Sequence, residues 1–167
     1  DFFMMKVGAI QPGGVLVAPA GWSTGSGGHV MLLILTRSLT QLDKYSFAIV
    51  NTGEGLEYHA AHADPVTAEI KRNLAFVLHD VPAIRVTDTI FWFMIYRMMV
   101  YPDEANGPQI FYERLLPFLN SKPLMANVDE TTPWRQPPHG NDTTHCQCIF
   151  ETVHCAVRMV DGGTDNH

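Results

Sequence analysis

Three cysteines stand within ten residues of one another near the C-terminal end: Cys146, Cys148 and Cys155. An odd number so tightly grouped does not read as a disulfide framework, which spreads an even count along the chain. It reads as thiols kept in a reducing compartment, with a local reason for the grouping. Thr144-x-x-Gln147 fits a capping box that starts a helix with Thr144 as its cap. A cysteine in the first helical turn feels the positive end of the macrodipole, which favours its thiolate. Cys146 lies within that turn and Cys148 at its end; a start a few residues later gives Cys148 the exposed position. A buried cysteine is ordinarily a small apolar core residue. Two of them at a helix start, after a long loop, suggest a nucleophile.

A nucleophile needs a base and something to hold the base. Gly27-Gly28-His29 places a histidine where an apolar strand emerges from a glycine-rich loop, and the glycines let another backbone come close. Asn51 sits just past the following strand. An antiparallel hairpin lays the end of that strand beside the start of the first, so Asn51 can reach His29. Its side-chain carbonyl would accept the Nδ1–H of His29 and fix the tautomer, as the third member of a Cys-His-Asn triad does. The blander reading of Asn51-Thr52-Gly53 is a turn, where Asn is ordinary. Trp22, in the loop before His29, either walls the cleft or simply packs. His145, Cys146, Cys148, His154 and Cys155, with His59 and His62 three apart, also resemble a metal set. Cys-x-Cys on a helix points its sulfurs about 200° apart, which suits one zinc poorly. No metal or cofactor is expected, and His59, His62, His139 and His167 read as solvated histidines.

These residues need a frame. Met4 to Ile10 and Val15 to Ala18 read as short strands around the turn Gln11-Pro12-Gly13-Gly14, and Pro19 to Gly28 as a loop. His29 to Thr36 is a near-continuous apolar run, hence a strand buried on both faces. Tyr45 to Val50 is the next strand, Leu56 to His59 a short one, and Leu74 to Leu78 another, stopped by His79-Asp80 and Pro82. Thr87 or Asp88 caps a helix running to about Met99. Pro108 opens a second helix, Gln109 to Leu119, ended or kinked by Pro117. Ser121 to Thr144 is a long loop with four prolines, and a helix follows from about His145 to Val160. Strands followed by helices predict an α+β fold with a largely antiparallel sheet.

The chain has 167 residues, 46% of them hydrophobic and 17% charged, with a net charge of −6. That length suits a single domain, here a catalytic one over 1–167, that buries about 70% of the surface of its unfolded chain. The acidic balance disfavours a nucleic-acid partner, because nothing supplies counterion release. No run reaches the roughly 18 apolar residues a membrane span needs; the longest, Thr89 to Tyr101, is interrupted by Arg97. Asp1 is not a natural start, so the chain reads as a fragment or a processed piece of a longer protein.

HVMLLILTRSLTQLDKYSFAIVN resembles the His–strand–turn–strand–Asp/Asn unit of the SUMO-protease and adenain group of cysteine peptidases, in which His, Asp or Asn, and Cys follow in that order. GWSTGSGGH, VNTGEGLEYH and FYERLLPFL look like segments of ubiquitin-protease-like domains. There a late helix opens with a Gly-Thr-Cys-x-Trp-x-Ser-Leu type of motif. Cys148-Ile149-Phe150-Glu151-Thr152-Val153 matches it in kind: Cys, aromatic two later, hydroxyl four later, aliphatic five later. The resemblance implies a papain-like fold with the nucleophile at the start of a C-terminal helix. It implies His29 as base, Asn51 as orienter and Cys148 as nucleophile. No Gly-Thr precedes Cys148, and no Gly follows either cysteine; capping favours Cys146 and motif spacing Cys148, so both stand. Asn141, with Gln136 or Gln147, is the implied side-chain donor of an oxyanion hole. A channel at Gly27 and Gly28 would suit the Gly-Gly tail of ubiquitin or a ubiquitin-like protein.

The expected activity is that of a cysteine peptidase, an isopeptidase for ubiquitin or a ubiquitin-like modifier, in the cytoplasm or another reducing compartment, a host cell included. The same triad also serves acyltransferases and transglutaminase-like enzymes. An inactive interaction module on the same fold is the reading from a different class.

Overall fold

The structure is a computed structural model, and it describes residues 2–63, 66, 68, 70–121 and 124. Helix α1 (Phe2–Gly8) leads into β1 (Val15–Ser23), β2 (Gly28–Arg37) and β3 (Lys44–Val50). A 3₁₀ turn over Leu56–Tyr58 and a small ribbon, β4 (Ala61–Ala63) with β5 (Ile70–Arg72), precede β6 (Ala75–Pro82). Helices α2 (Ala83–Val86) and α3 (Thr89–Val100) follow. A further helix, α4, runs through Pro108–Ile110, a π-helical Phe111–Leu115 and Leu116–Asn120. The sheet order is β1-β2-β3-β6, antiparallel throughout. The architecture is thus α+β with a four-stranded antiparallel sheet.

The apolar alternation of β2 explains the layering. His29, Met31, Leu33 and Leu35 are buried on one face, where the helices lie. They join Phe47 and Ile49 of β3, Phe91, Trp92, Ile95 and Met98 of α3, and Phe111, Tyr112, Leu116 and Leu119 of α4 in one core. The opposite face carries a small apolar patch of Ile34, Ala48 and Val50, with Leu32 and Val77 against it. The β2 run is apolar on both sides for that reason. Among the described residues, no helix is long and apolar enough to cross a membrane.

Several elements differ from the sequence reading. Residues 2–8 are helical rather than a strand: Phe3, Met4 and Val7 share the side that packs on the core, with Phe3 against Trp92, while Met5 is exposed. β1 continues through Pro19–Ser23, where a loop was expected: Ala18, Ala20 and Trp22 point into the core, and the pairing runs to Ser23↔Gly28. Leu56–Tyr58 forms a 3₁₀ turn, not a strand. β6 runs on through His79 and Asp80 to Pro82, with Asp80 at φ 58° and a register shift opposite Tyr45 and Phe47. α4 continues past Pro117, which stands at the start of the α-helical stretch that follows the π turn. Of the two caps expected for α3, Thr87 and Asp88, it is Asp88: its side chain accepts from the N–H groups of Ile90 and Phe91 at 2.8 and 2.9 Å.

Gly21 is the tightest point of the β1–β2 pairing. Its φ is +150°, and a Cβ there would stand 2.0 Å from the carbonyl oxygen of His29. Gly8, at the end of α1, has nothing within 4 Å of such a position. Gly21→Ala should therefore lower stability by at least about 2 kcal/mol. Gly8→Ala should leave it unchanged or raise it by up to about 1 kcal/mol. Urea unfolding of both variants checks the pair, and equal midpoints would contradict it.

Candidate functional site

The β1–β2 register sets Trp22 opposite His29, at the end of the sheet where the hairpin turns. Thr24 and Gly27 close that hairpin through bonds of 2.8 to 3.1 Å. Its tip is tied to the segment after α3. Gly25 N–H donates to Glu104, Asp103 N–H to the Ser23 carbonyl, and the Asn106 side chain to the Ser23 and Tyr101 carbonyls. The β2–β3 pairing ends at Leu32↔Val50. One more step along it brings Asn51 opposite Met31, on the same face as His29 and diagonal to it.

His29 Nε2 lies 2.7 Å from Asn51 Oδ1, in a buried contact. The Asn51 amide cannot be turned the other way. Its Nδ2 donates to the Glu54 carbonyl at 2.8 Å and to the Tyr112 hydroxyl at 3.0 Å, and its Oδ1 accepts from Gly53 N–H at 3.0 Å. A carbonyl can only accept and a backbone N–H can only donate, so Oδ1 faces His29 and the imidazole donates through Nε2. In the neutral ring, the lone pair is on Nδ1. The pair was expected to form through Nδ1–H. It forms through Nε2 instead, because His29 projects from the strand toward a partner two residues away along it. The nitrogen able to take a proton is therefore Nδ1.

Trp22 is buried, with its indole 5.0 Å from the His29 ring and its Nε1–H donated to Glu54 at 2.8 Å. It packs, as a tryptophan usually does, and it also forms part of a cleft. That cleft, about 390 Å³, is lined by Ala20, Trp22, Ser23, Gly27, Gly28, His29, Val30 and Met99. Three residues expected to hold a substrate thus lie together beside the expected base. Gly28 is constrained there, since a Cβ would meet the Trp22 carbonyl at 2.8 Å. Cys146, Cys148, Asn141, Gln136 and Gln147 lie outside the described residues, as do Cys155, His139, His145, His154 and His167.

Two residues of the site were not anticipated. His59, read as solvated, is 3% exposed. Its Nδ1 is 2.7 Å from the Asn73 carbonyl and its Nε2 2.8 Å from the Tyr112 hydroxyl. Tyr112 is fully buried and bridges His59 to Asn51. Gly55 makes the bridge possible: its φ is +94°, and a Cβ would stand 2.8 Å from the Tyr112 ring and 3.3 Å from Asn51 Nδ2. The motif Asn51-Thr52-Gly53-Glu54-Gly55 was legible as a turn, but the tyrosine it receives is 61 residues away. No group of three or more His, Cys, Asp or Glu able to hold a metal occurs among the described residues.

Burial lowers the His59 pKa to about 4, outweighing the opposing bond to the Asn73 carbonyl, and Arg72 nearby lowers it further. Burial likewise pushes the Tyr112 phenol up. An unfolded histidine binds a proton near pH 6.5, whereas folded His59 does so only near pH 4. Between those values the unfolded state holds more protons, so stability rises with pH across that window. Acidification from pH 6.5 to 4 should cost roughly 3 kcal/mol through this residue, and His59→Gln should remove that part of the slope. Urea unfolding at stepped pH, variant against parent, measures the difference; identical slopes would contradict it. Comparison of the chain with protein-family models, with curated proteins and with solved structures gives no match.

Proposed function

We propose that the protein is a cysteine peptidase, an isopeptidase acting on ubiquitin or a ubiquitin-like modifier, with Cys148 as nucleophile, His29 as base and Asn51 as its orienting residue. The observation that carries this reading is the 2.7 Å bond between His29 Nε2 and a locked Asn51 carbonyl. A histidine that only fills a core does not need an amide held by three further bonds. A base does, because catalysis depends on which nitrogen holds the lone pair. The position of the pair beside a cleft lined by Gly27, Gly28, Ser23 and Ala20 adds to it. Small side chains leave room for an extended backbone, which suits a Gly-Gly tail. The resemblance of Cys148-x-Phe150 and its neighbours to a ubiquitin-protease motif supplies the nucleophile, with Cys146 as the competing thiol.

In this mechanism His29 Nδ1 takes the proton of the Cys148 thiol, and the thiolate attacks the carbonyl carbon of the isopeptide. The nucleophile's own backbone N–H, with Asn141 or Gln147, steadies the oxyanion. The C–N bond breaks as His29 returns the proton to the departing lysine amine, leaving a thioester. Water then adds to the thioester, losing a proton to His29, and the thiol is released as the acyl group leaves. No cofactor enters. A reduced thiol is required, so the reading places the protein in a reducing compartment.

A ubiquitin or SUMO probe carrying a C-terminal electrophile tests the proposal. The parent chain should form a covalent adduct, Cys148→Ala should form none, and Cys146→Ala should keep it. The reverse pattern moves the nucleophile to Cys146. His29→Ala should slow labelling at least about 100-fold. No adduct with the parent chain, under conditions where a known isopeptidase labels, overturns the reading.

A further inference from the structure

A tail of two glycines carries no side chain. A cleft that holds such a tail reads only its narrowness, so it cannot tell a folded modifier from a short peptide with the same ending. The contact that discriminates has to lie on the rest of the modifier, and on a surface of the protein that adjoins the cleft.

The surface that adjoins it is α3. Its sequence, TIFWFMIYRMMV, has Arg97 as its one charge. Phe91, Trp92, Ile95 and Met98 bury one side of the helix in the core. Phe93, Tyr96 and Val100, at i, i+3 and i+7, form a second apolar row, yet Phe93 is 59% and Tyr96 63% exposed. A helix apolar all round belongs between two partners, and the core covers one side only. Beside the second row runs a groove of about 450 Å³ between α1, β1 and α3, lined by Phe3, Ala18, Trp92, Phe93, Tyr96 and Met99 among others. Met99 also lines the His29 cleft. Ala18 and Ala20 are alternate residues of β1, the first in the groove and the second in the cleft. Groove and cleft are therefore one depression, divided at Met99. From Met99 the groove follows α3 for about 15 Å to Thr89.

We propose that this groove and the Phe93–Tyr96–Val100 row dock the folded body of the modifier, through an apolar patch near the base of its tail. The proposal rests on the peptidase reading for its partner. Two extended glycines span about 7 Å. A tail that ends at His29 thus emerges beside Met99, and the body that precedes it comes to rest on α3. Burial of the Phe93 and Tyr96 rings supplies the affinity that glycines cannot. A contiguous apolar patch at the mouth of a cleft marks a contact surface rather than ordinary solvent-facing surface.

Two probes with the same C-terminal electrophile test the docking: whole ubiquitin or SUMO, and a short peptide that ends in Gly-Gly. The parent chain should label at least about tenfold faster with the whole-protein probe. Phe93→Asp and Tyr96→Asp, at exposed positions, should each slow that labelling about tenfold and leave peptide labelling unchanged. Leu39→Asp, exposed in the turn between β2 and β3, should change neither. Equal loss with both probes, or no loss with either, overturns the docking. Two other occupants overturn it as well: a segment of this chain, revealed by a lower urea midpoint in the α3 variants, and a second copy, revealed by a parent dimer that Phe93→Asp dissociates. Binding of unmodified ubiquitin or SUMO to the full chain with Cys146→Ala and Cys148→Ala gives a readout without chemistry, and Phe93→Asp should weaken it about tenfold. That weakening, with no labelling of the parent by either probe, upholds the docking and overturns the peptidase reading. Labelling by both probes at rates that Phe93→Asp leaves unaltered overturns the docking and keeps the peptidase reading. Neither binding nor labelling overturns both.

Discussion

A fully buried amide has to find all its hydrogen-bond partners inside the protein, and Asn51 is such a group. Its Oδ1 takes Gly53 N–H and His29; its Nδ2 takes the Glu54 carbonyl and Tyr112. Each bond contributes about 1 kcal/mol net, but a lost partner leaves a buried polar atom costing about 1–3 kcal/mol. The elements around Asn51 are arranged by that constraint. The 51–55 turn must curl back to offer Glu54 and Gly53, β2 must offer His29, and α4 must offer Tyr112. The backbone of Asn51 is tied as well, its N–H donated to the Leu74 carbonyl at 2.9 Å.

Glu54 serves two residues of the site at once. Its carbonyl holds Asn51, and its carboxylate accepts the Trp22 indole N–H at 2.8 Å. Trp22 in turn lies against His29, so the turn after β3 sets both the Asn51 amide and the ring beside His29. On the far side, the tip of the β1–β2 hairpin is held by Asp103, Glu104 and Asn106. The cleft between these anchors has one wall of strand backbone and one of Met99 at the end of α3. Gly28 in its lining is held to glycine, because a Cβ there would meet the carbonyl of Trp22 at 2.8 Å.

α4 shows how packing and polarity are reconciled. Phe111, Tyr112, Leu116 and Leu119 bury one side of it in the core. Tyr112 must in addition bring its hydroxyl to both Asn51 and His59, and it lies in a π turn, wider than an α turn and common where a helix carries a functional side chain. Tyr58, stacked on it, donates to Glu113 in the same turn at 2.5 Å, and this bond is the main reason that its phenol pKa is pushed up to about 12. Among the described residues, the buried side-chain polar atom without a partner is Asn73 Oδ1, whose own backbone carbonyl ends the chain of bonds from His29.

The sequence by itself determined the hairpin of β2 and β3, the capped α3 and the proline-opened α4, because apolar period, Asp88 and Pro108 are local signals. It also implied that Asn51 can reach His29, because an antiparallel hairpin lays the end of one strand beside the start of the other; the register that puts the two on one face is a property of the folded pairing. Tertiary structure decided the rest. Residues 2–8 became a helix and 19–23 a strand because each had a core surface or a neighbour to meet, which local composition does not encode. The nitrogen that His29 gives to Asn51 follows from where the folded chain sets the locked amide beside the ring. His59 and Tyr112 entered the site from 8 and 61 positions beyond Asn51, joined by Gly55 and a π turn. Hydrogen bonds to a buried amide are satisfied by whatever the fold brings within 3 Å, and only the folded chain decides which residues those are.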